Sequence, residues 1–351
     1  MNTWKDAVTL GRVRFVVQIL MFIFLVYGGT VIGHYAADKI SGELPALSCA
    51  YDKQNASYCV LIPTQHQLHH RVGEALVQMQ QFSFKVLLPL FFTFLSFYLF
   101  FVFLNKMFCG WICPLGTFQE MLYKLGRGIR LENRYAITPA QTYFVRPVKW
   151  LILVFLVFLL PLLAGLGVTA PATGDAFCQV CPSRMLTTLA TGDFEQFTIN
   201  QATLGDWIFS AIRAALFGII VVTALTLRQP FCRICPLLAF NALFQRLSPM
   251  RLVKHPHEKC EKCGICHKAC PMDIHEIWHE SGSKAFHDDC TLCGRCAEFC
   301  PDDKVIQIKF GPLALFSSAR EYYKRRIKGE KPEGYPVAKK LKAIPIKVEK
   351  S

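Results

Sequence analysis

The stretch AFCQVCPSR, residues 176–184, sets Cys178 and Cys181 two residues apart, with an aromatic before the first and Pro182 after the second. Nearly the same phrase returns as QPFCRICPLL at 229–238 and, with one more residue between the cysteines, as MFCGWICPLG at 107–116. A motif used three times in 351 residues signals internal repetition, so the segments around each copy decide how the chain is built.

Those segments are apolar. Hydrophobic residues make up 52% of the chain and mean hydropathy is positive, the profile of a membrane protein carrying a soluble part. Four stretches, Phe15–Ile32, Val86–Leu104, Leu151–Val168 and Trp207–Leu227, have the roughly 20 residues that cross about 30 Å of hydrocarbon as a helix. Pro161 in the third is expected as a tolerated kink. Arg213 in the fourth reads either as snorkelling toward the interface or as a headgroup or quinone contact. The first span has a basic flank like a signal peptide, but its apolar run is longer than the usual h-region, so an uncleaved anchor is expected.

The formal net charge is +14, but the basic residues gather beside the apolar segments, which points to membrane orientation and away from nucleic acid. Lys5, Arg12 and Arg14 precede the first span; Lys124, Arg127, Arg130, Arg134, Arg146 and Lys149 lie between the second and third; everything after the fourth is basic. The loops His34–Lys85 and Thr169–Asp206 carry no basic excess. By the positive-inside rule both termini and the middle loop are expected in the cytoplasm of a bacterial inner (cell) membrane protein, with those two loops outside.

Residues 1–249 are therefore read as a four-helix membrane domain, 250–310 as a soluble domain and 311–351 as a basic tail, in which PLALFSSAREYYKRR suggests an amphipathic surface helix. The soluble domain holds CEKCGICHKACP and CTLCGRCAEFCP, two complete C-x2-C-x2-C-x3-C-P runs. In that pattern three thiolates wrap one [4Fe–4S] cluster and the fourth crosses to the other. This assigns Cys260, Cys263, Cys266 and Cys300 to one cluster, and Cys290, Cys293, Cys296 and Cys270 to the second. Any four cysteines can hold zinc, but two full runs with both prolines favour iron. Cys263, Cys266 and His267 also spell the C-x-x-C-H of c-type haem, a coincidence inside a complete ferredoxin run.

The other eight of the sixteen cysteines sort by topology. Cys109 and Cys113 follow the second span and Cys232 and Cys235 the fourth, at the expected inner surface. Cys49 and Cys59 lie between the first two spans and Cys178 and Cys181 between the last two, on the expected outer side. Each half then has one plan: span, outer pair, span, inner pair. Cys59 precedes Cys109 by fifty residues and Cys181 precedes Cys232 by fifty-one. The fold expected is an α-helical integral membrane protein of four transmembrane helices in two parallel repeats, with a small α+β two-cluster ferredoxin-like domain. Packing the halves side by side makes two more four-cysteine sites. The inner set, Cys109, Cys113, Cys232 and Cys235, is read as a third cluster, against reduced structural thiols. The outer set, Cys49, Cys59, Cys178 and Cys181, reads as a fourth cluster, or as a Cys49–Cys59 disulfide with a Cys178/Cys181 dithiol.

His34, His66, His69 and His70 lie in or beside the first outer loop, where a polar lining of a quinone site competes with metal ligation. No span has a histidine near its middle, which excludes bis-His haem in the bilayer. No phosphate-binding loop, dinucleotide fingerprint or Ser/His/Asp arrangement is present. The residues describe a conductor of electrons.

Phe-Cys-x-x-x-Cys-Pro-Leu-Gly at 108–116, Phe-Cys-x-x-Cys-Pro-Leu at 231–237 and the two-cluster ferredoxin runs together resemble the NapH/NosR group of membrane polyferredoxins. The resemblance runs from the first span to about Lys309 and carries over to Cys109, Cys113, Cys232, Cys235 and the eight ferredoxin cysteines. It implies electron transfer between the quinol pool and periplasmic reductases, or support of a partner enzyme's maturation. Cys49, Cys59, Cys178 and Cys181 depart from the common core, and the long flavin-bearing N-terminal domain of the NosR type is not seen. The function expected is an electron-transfer subunit of an oxidoreductase complex, a quinol dehydrogenase component being one form. It would link quinol or a cytoplasmic donor to a periplasmic oxidoreductase or cytochrome subunit. A maturation factor and a membrane redox sensor are the alternatives. Because 30 Å is long for direct tunnelling, transfer requires clusters drawn into the bundle, a bound quinone, or another subunit's cofactor.

Overall fold

The computed structural model describes residues 9–32, 61–73, 77, 88, 91, 95, 99, 102–129, 131, 139–192, 194, 197–199, 201–256, 260 and 263–329. Cys49, Cys59, His34 and most of Val86–Leu104 lie outside them.

The helices are α1 (Leu10–Ile32), α2 (Leu61–His66), α3 (Pro114–Gly128), α4 (Pro139–Ile152), α5 (Leu160–Gly165), α6 (Ala176–Val180), α7 (Pro182–Thr191), α8 (Leu204–Thr226) and α9 (Pro236–Leu243). Beyond them come strand β1 (Met250–Lys254), short helices α10 (Ile265–Lys268), α11 (Glu276–His279) and α12 (Arg295–Glu298), strands β2 (Ile306–Phe310) and β3 (Leu313–Ser317), and α13 (Arg320–Gly329).

Three described segments are long and apolar enough to cross a membrane: Leu10–Tyr27, Gln141–Gly165 and Leu204–Thr226. All three begin earlier than the expected spans, and two of them thereby take in basic residues. Arg12 and Arg14 fall inside α1, and Arg146 and Lys149 inside α4, because acidic partners elsewhere in the chain receive two of these charges, on Arg14 and Lys149, in buried positions. The third span runs α4, a π-helical stretch Leu153–Leu159, then α5. Pro161 cannot donate to the carbonyl four residues back, and the ladder widens there instead of breaking. Of the second expected span, Val86–Leu104, Leu88, Phe91, Leu95, Leu99 and 102–104 are helical, and Phe91, Leu95, Leu99 and Phe103 expose one side four residues apart.

In the first expected outer loop, residues 61–73 are helical: α2 continues as a π-helical stretch, Gln67–Gly73. Leu61, Thr64 and Gln65 are buried, so the segment is anchored by its apolar and amide face.

β1, β2 and β3 form an antiparallel sheet in that order, with Met250 opposite Phe310, Lys254 opposite Ile306 and Gln307 opposite Ser317. β1 and β2 thus bracket both ferredoxin runs, and Leu252, Leu292, Ala297, Val305 and Ile306 fill the core beneath. The stretch from Leu313, expected as a surface helix, is a strand followed by α13. β2 has an edge to pair, and Ser318 ends the hairpin by accepting from the amides of Val305 and Ile306 and donating to the Asp302 carbonyl.

This unit is docked on the helices by buried charge. Glu120 of α3 takes Arg14 of α1 at 2.5 Å and Arg295 of α12 at 3.2 Å. Burial alone would raise the Glu120 carboxyl, but Arg14, Arg295, Lys124 and the Gln18 amide hold it at about 2. Arg146 meets Glu276 through Nη2 at 2.8 Å and Asp289 through Nε at 2.8 Å, and Lys149 pairs with Asp289. The Arg146 hydrogen bond brings Glu276 down to about 2. Arg233 holds Asp273 at 2.5 Å and the carbonyl of Met272 at 2.9 Å.

Candidate functional site

Three Cys-Pro steps share one local structure. Cys113, Cys181 and Cys235 each occupy the position before a helix (α3, α7, α9), with proline as its first residue and ψ of 119°, 123° and 121°. Proline suits that place because its missing N–H would find no intrahelical partner and its φ is already helical. The first cysteine of each pair sits one turn earlier, in the π-helical stretch Phe108–Ile112, in α6, or in the 3-10 turn Phe231–Arg233. The preceding Phe108, Phe177 and Phe231 are all buried and anchor each loop. The repeated phrase is therefore a device that aims two sulfurs from a loop into the core at the N-terminus of a helix.

The described cysteines influence one another's ionisation across the chain. Burial raises the Cys232 thiol, and Cys113 and Cys109 add to the rise. Cys235 is raised by burial, then by Cys232, Cys109 and Cys113. Burial pushes Cys109 up to about 12, with Cys113 adding to it. In the ferredoxin unit Cys270 is raised by burial and by Cys293 and Cys290, so it lies with the second run. Cys300 reaches about 12 through burial, with Cys263 of the first run adding to the rise. Cys266, at about 11, responds to burial and to Cys263 and Cys260. Each run's fourth cysteine thus lies within electrostatic reach of the other run.

The sets also adjoin one another. Cys296 of the second ferredoxin set lies within electrostatic reach of Cys266 of the first. Cys270 and Cys290 share an apolar cluster with Cys109 and Cys232. The backbone closes in here: a Cβ on Gly110 would stand 2.3 Å from the Thr291 carbonyl oxygen and 3.2 Å from Cys293 Cα, and Trp111 Nε1 donates to Leu292 at 3.0 Å. Cys235 in turn feels Cys181. Cys178 and Cys181 are buried in the same core as Phe108, Leu115 and Leu237, against which Cys109, Cys113 and Cys235 pack. The pair expected at an outer surface is therefore drawn into the bundle beside the inner set. Cys263 is the exposed cysteine among those described.

Buried thiols that raise one another this far gain from ionising only when a cationic centre takes the thiolates, which is what iron supplies. Among the described residues no three His, Cys, Asp or Glu side chains converge on a point for a single metal ion. A cubane is bound at its separate iron corners, so thiolates spread around a volume suit it better than a mononuclear zinc site. None of the fourteen described cysteines is disulfide-bonded. His267, of the C-x-x-C-H coincidence, stacks on Trp278 at 5.5 Å.

Three buried carboxamides, which the motif reading overlooked, donate to these sulfurs. Gln119 Nε2 lies 3.6 Å from Cys232 Sγ, Asn241 Nδ2 lies 3.4 Å from Cys109 Sγ, and Gln65 Nε2 lies 3.2 Å from Cys178 Sγ.

Comparison with known proteins finds iron–sulfur binding families in this chain. One 4Fe-4S binding domain family matches twice, over residues 86–132 and 208–255, and a 4Fe-4S dicluster domain family matches 259–306. The chain is similar to YccM of Escherichia coli, which is named for electron transport, at 28% identity over 173 residues, 49% of this chain and 43% of YccM. An uncharacterized protein of Methanocaldococcus jannaschii is 31% identical over 174 residues, 49% of this chain and 60% of that one. The regulatory protein NosR of Pseudomonas aeruginosa is 28% identical over 166 residues, 47% of this chain and 20% of NosR. These matches support a NosR/NapH-type polyferredoxin family for the chain. The chain spans less than two thirds of the length of each of those relatives, and no solved structure matches it. It carries 4Fe-4S binding domains together with helices fit to cross a membrane.

Proposed function

We propose that this chain is a membrane electron-transfer subunit that carries electrons between a cytoplasmic or quinol donor and an acceptor on the far side, through [4Fe–4S] clusters at four cysteine sets. The observation that carries the reading is the unbroken adjacency of those sets. Cys263 and Cys266 lead to Cys296, then Cys290 and Cys270 adjoin Cys109 and Cys232, and Cys235 adjoins Cys181. Sets drawn inward remove the 30 Å gap that surface sites would leave.

In this reading four spans form two parallel repeats, supported by the two matches of one family at 86–132 and 208–255 and by the shared Cys-Pro geometry. The basic flanks support an inner-membrane location with both termini in the cytoplasm. The exposed Cys263 supports exchange with a soluble donor at the ferredoxin end. At the other end a cavity of about 620 Å³ lies against the loop of Cys178, lined by Gln179, Arg184, Arg213, Asp175 and Asp206 among others. Its guanidinium, carboxylate and carboxamide groups support a polar headgroup such as that of a quinone there.

Anaerobic purification with iron and acid-labile sulfide analysis tests the reading. About sixteen irons per chain are expected, four per cluster. About twelve removes the Cys178 set, and about eight leaves the ferredoxin domain alone and defeats the proposal.

A further inference from the structure

We infer that Gln119, Asn241 and Gln65 are positioning residues: each carboxamide donates to the first cysteine sulfur of an opposing pair and raises the reduction potential of the cluster held there. This rests on the reading that those cysteines ligate clusters, and it adds residues outside every ligand motif.

The three share one construction. Each stands six residues after a second-of-pair cysteine: Gln119 after Cys113, Asn241 after Cys235, Gln65 after Cys59. All three are fully buried. At the inner set the contacts are reciprocal, since Gln119 follows the first pair and reaches Cys232 while Asn241 follows the second and reaches Cys109. Gln65 and Gln119 match more closely still. Each also donates from Nε2 to the carbonyl four residues back, Leu61 or Leu115, at 3.1 Å, and each meets a sulfur 113 residues further on.

Those second contacts fix which end of the amide faces sulfur. A carbonyl only accepts, so Nε2 of Gln65 and Gln119 is the donor end; for Gln119 the Phe231 amide also donates to Oε1 at 3.0 Å. One N–H meets the carbonyl and the other is left for the sulfur. Adding one electron to a cluster makes its sulfurs more negative, so an N–H donor favours the reduced state, and hydrogen bonds to sulfur are among the terms that set such potentials. The Gln65 contact gives Cys178 the same second-layer donor that the inner set has, which a C-x-x-C dithiol would not require.

The test is an EPR-monitored anaerobic potentiometric titration of the full chain in nanodiscs, with dithionite as electron source, for wild type, Gln119→Leu, Asn241→Leu and Gln65→Leu. Gln119→Leu and Asn241→Leu are expected to lower the midpoint of the same signal, each by roughly tenfold in reduced-to-oxidised ratio at fixed potential, 59 mV for a one-electron couple. Gln65→Leu is expected to lower a different signal, with iron content unchanged. Unmoved midpoints at full iron, or two different signals responding to Gln119 and Asn241, overturn the inference. If a Leu variant loses iron, the near-isosteric acid (Gln119→Glu, Gln65→Glu or Asn241→Asp) is read in its place, and loss of four irons there too makes the amide structural and overturns its tuning role. Failure of the four-cluster reading shows separately, as a wild-type iron count near twelve, while the Gln119 and Asn241 titrations still decide the amide role.

Discussion

Replacing Glu120 by Gln should undock the ferredoxin unit. Glu120 stands between Arg14 at 2.5 Å and Arg295 at 3.2 Å, with Gln18 Nε2 at 3.3 Å, and so joins α1, α3 and α12. Its side chain is 12% exposed and that of Arg14 only 2%, so the substitution strands two facing guanidiniums with little water. The carboxyl's fall from 4.5 to about 2 corresponds to about 3 kcal/mol. That agrees with the 3–5 kcal/mol typical of breaking one side of a buried pair. With about 1.4 kcal/mol per decade, the undocked fraction rises by about a hundredfold. Amide hydrogen exchange across residues 290–300 in nanodiscs reads this directly. Glu120→Gln with Arg295→Met should recover part of the loss, because one stranded cation is gone. Exchange accelerated less than threefold by Glu120→Gln, or a double variant worse than the single one, would refute the role given to this charge.

Gly110→Ala should keep all iron yet slow transfer between the ferredoxin and membrane sets, because its Cβ would stand 2.3 Å from the Thr291 carbonyl oxygen; freeze-quench EPR after a reductant pulse measures the delay. Acid should undock the unit: Glu120 and Glu276 both sit at about 2, below the ordinary 4.5, so their contribution is complete above 4.5 and is lost as pH falls from 4.5 toward 2, seen as rising exchange in the same segment. Cys232→Ser should remove about four irons while leaving the ferredoxin signals in place, measured by iron analysis with EPR. Thr203→Ala removes the hydroxyl that accepts from the Asp206 amide at the start of α8 and should cost about 1 kcal/mol in thermal unfolding.

Local pattern makes the helix starts beside the cysteines legible. Cys-Pro anticipates the helices that open at Pro114, Pro182 and Pro236. What local pattern does not carry is where distant segments meet. Arg14, Arg146 and Lys149 read as basic flanks because their acids, Glu120, Glu276 and Asp289, lie 106 to 140 residues away along the chain. Positive charge near a span end reads as topology, and its second use, clamping a domain, needs the partner to be visible. Loop counting likewise does not show that Cys178 and Cys181 are buried in the same core as Phe108 and Leu237, with Pro182 opening a helix beside them. The amides were there to be found: CPLGTFQ, CPLLAFN and CVLIPTQ each place an amide at the same step after cysteine. Metal motifs direct the eye to ligands, and sulfur acceptors one layer out leave only this faint periodicity. Cys49 and Cys59, which complete the reading of the Cys178 set, lie outside the described residues.

The adjacency of the cysteine sets is the centre of the account, and electron flow across a sealed bilayer tests it most directly. With the chain oriented in vesicles, a membrane-impermeant reductant at the ferredoxin face and a trapped dye oxidant inside, the dye should bleach without added quinone, and Cys235→Ser should abolish bleaching while the ferredoxin clusters still reduce. Bleaching that persists in Cys235→Ser, or none in the wild type with all four cluster signals present, would contradict the continuous path.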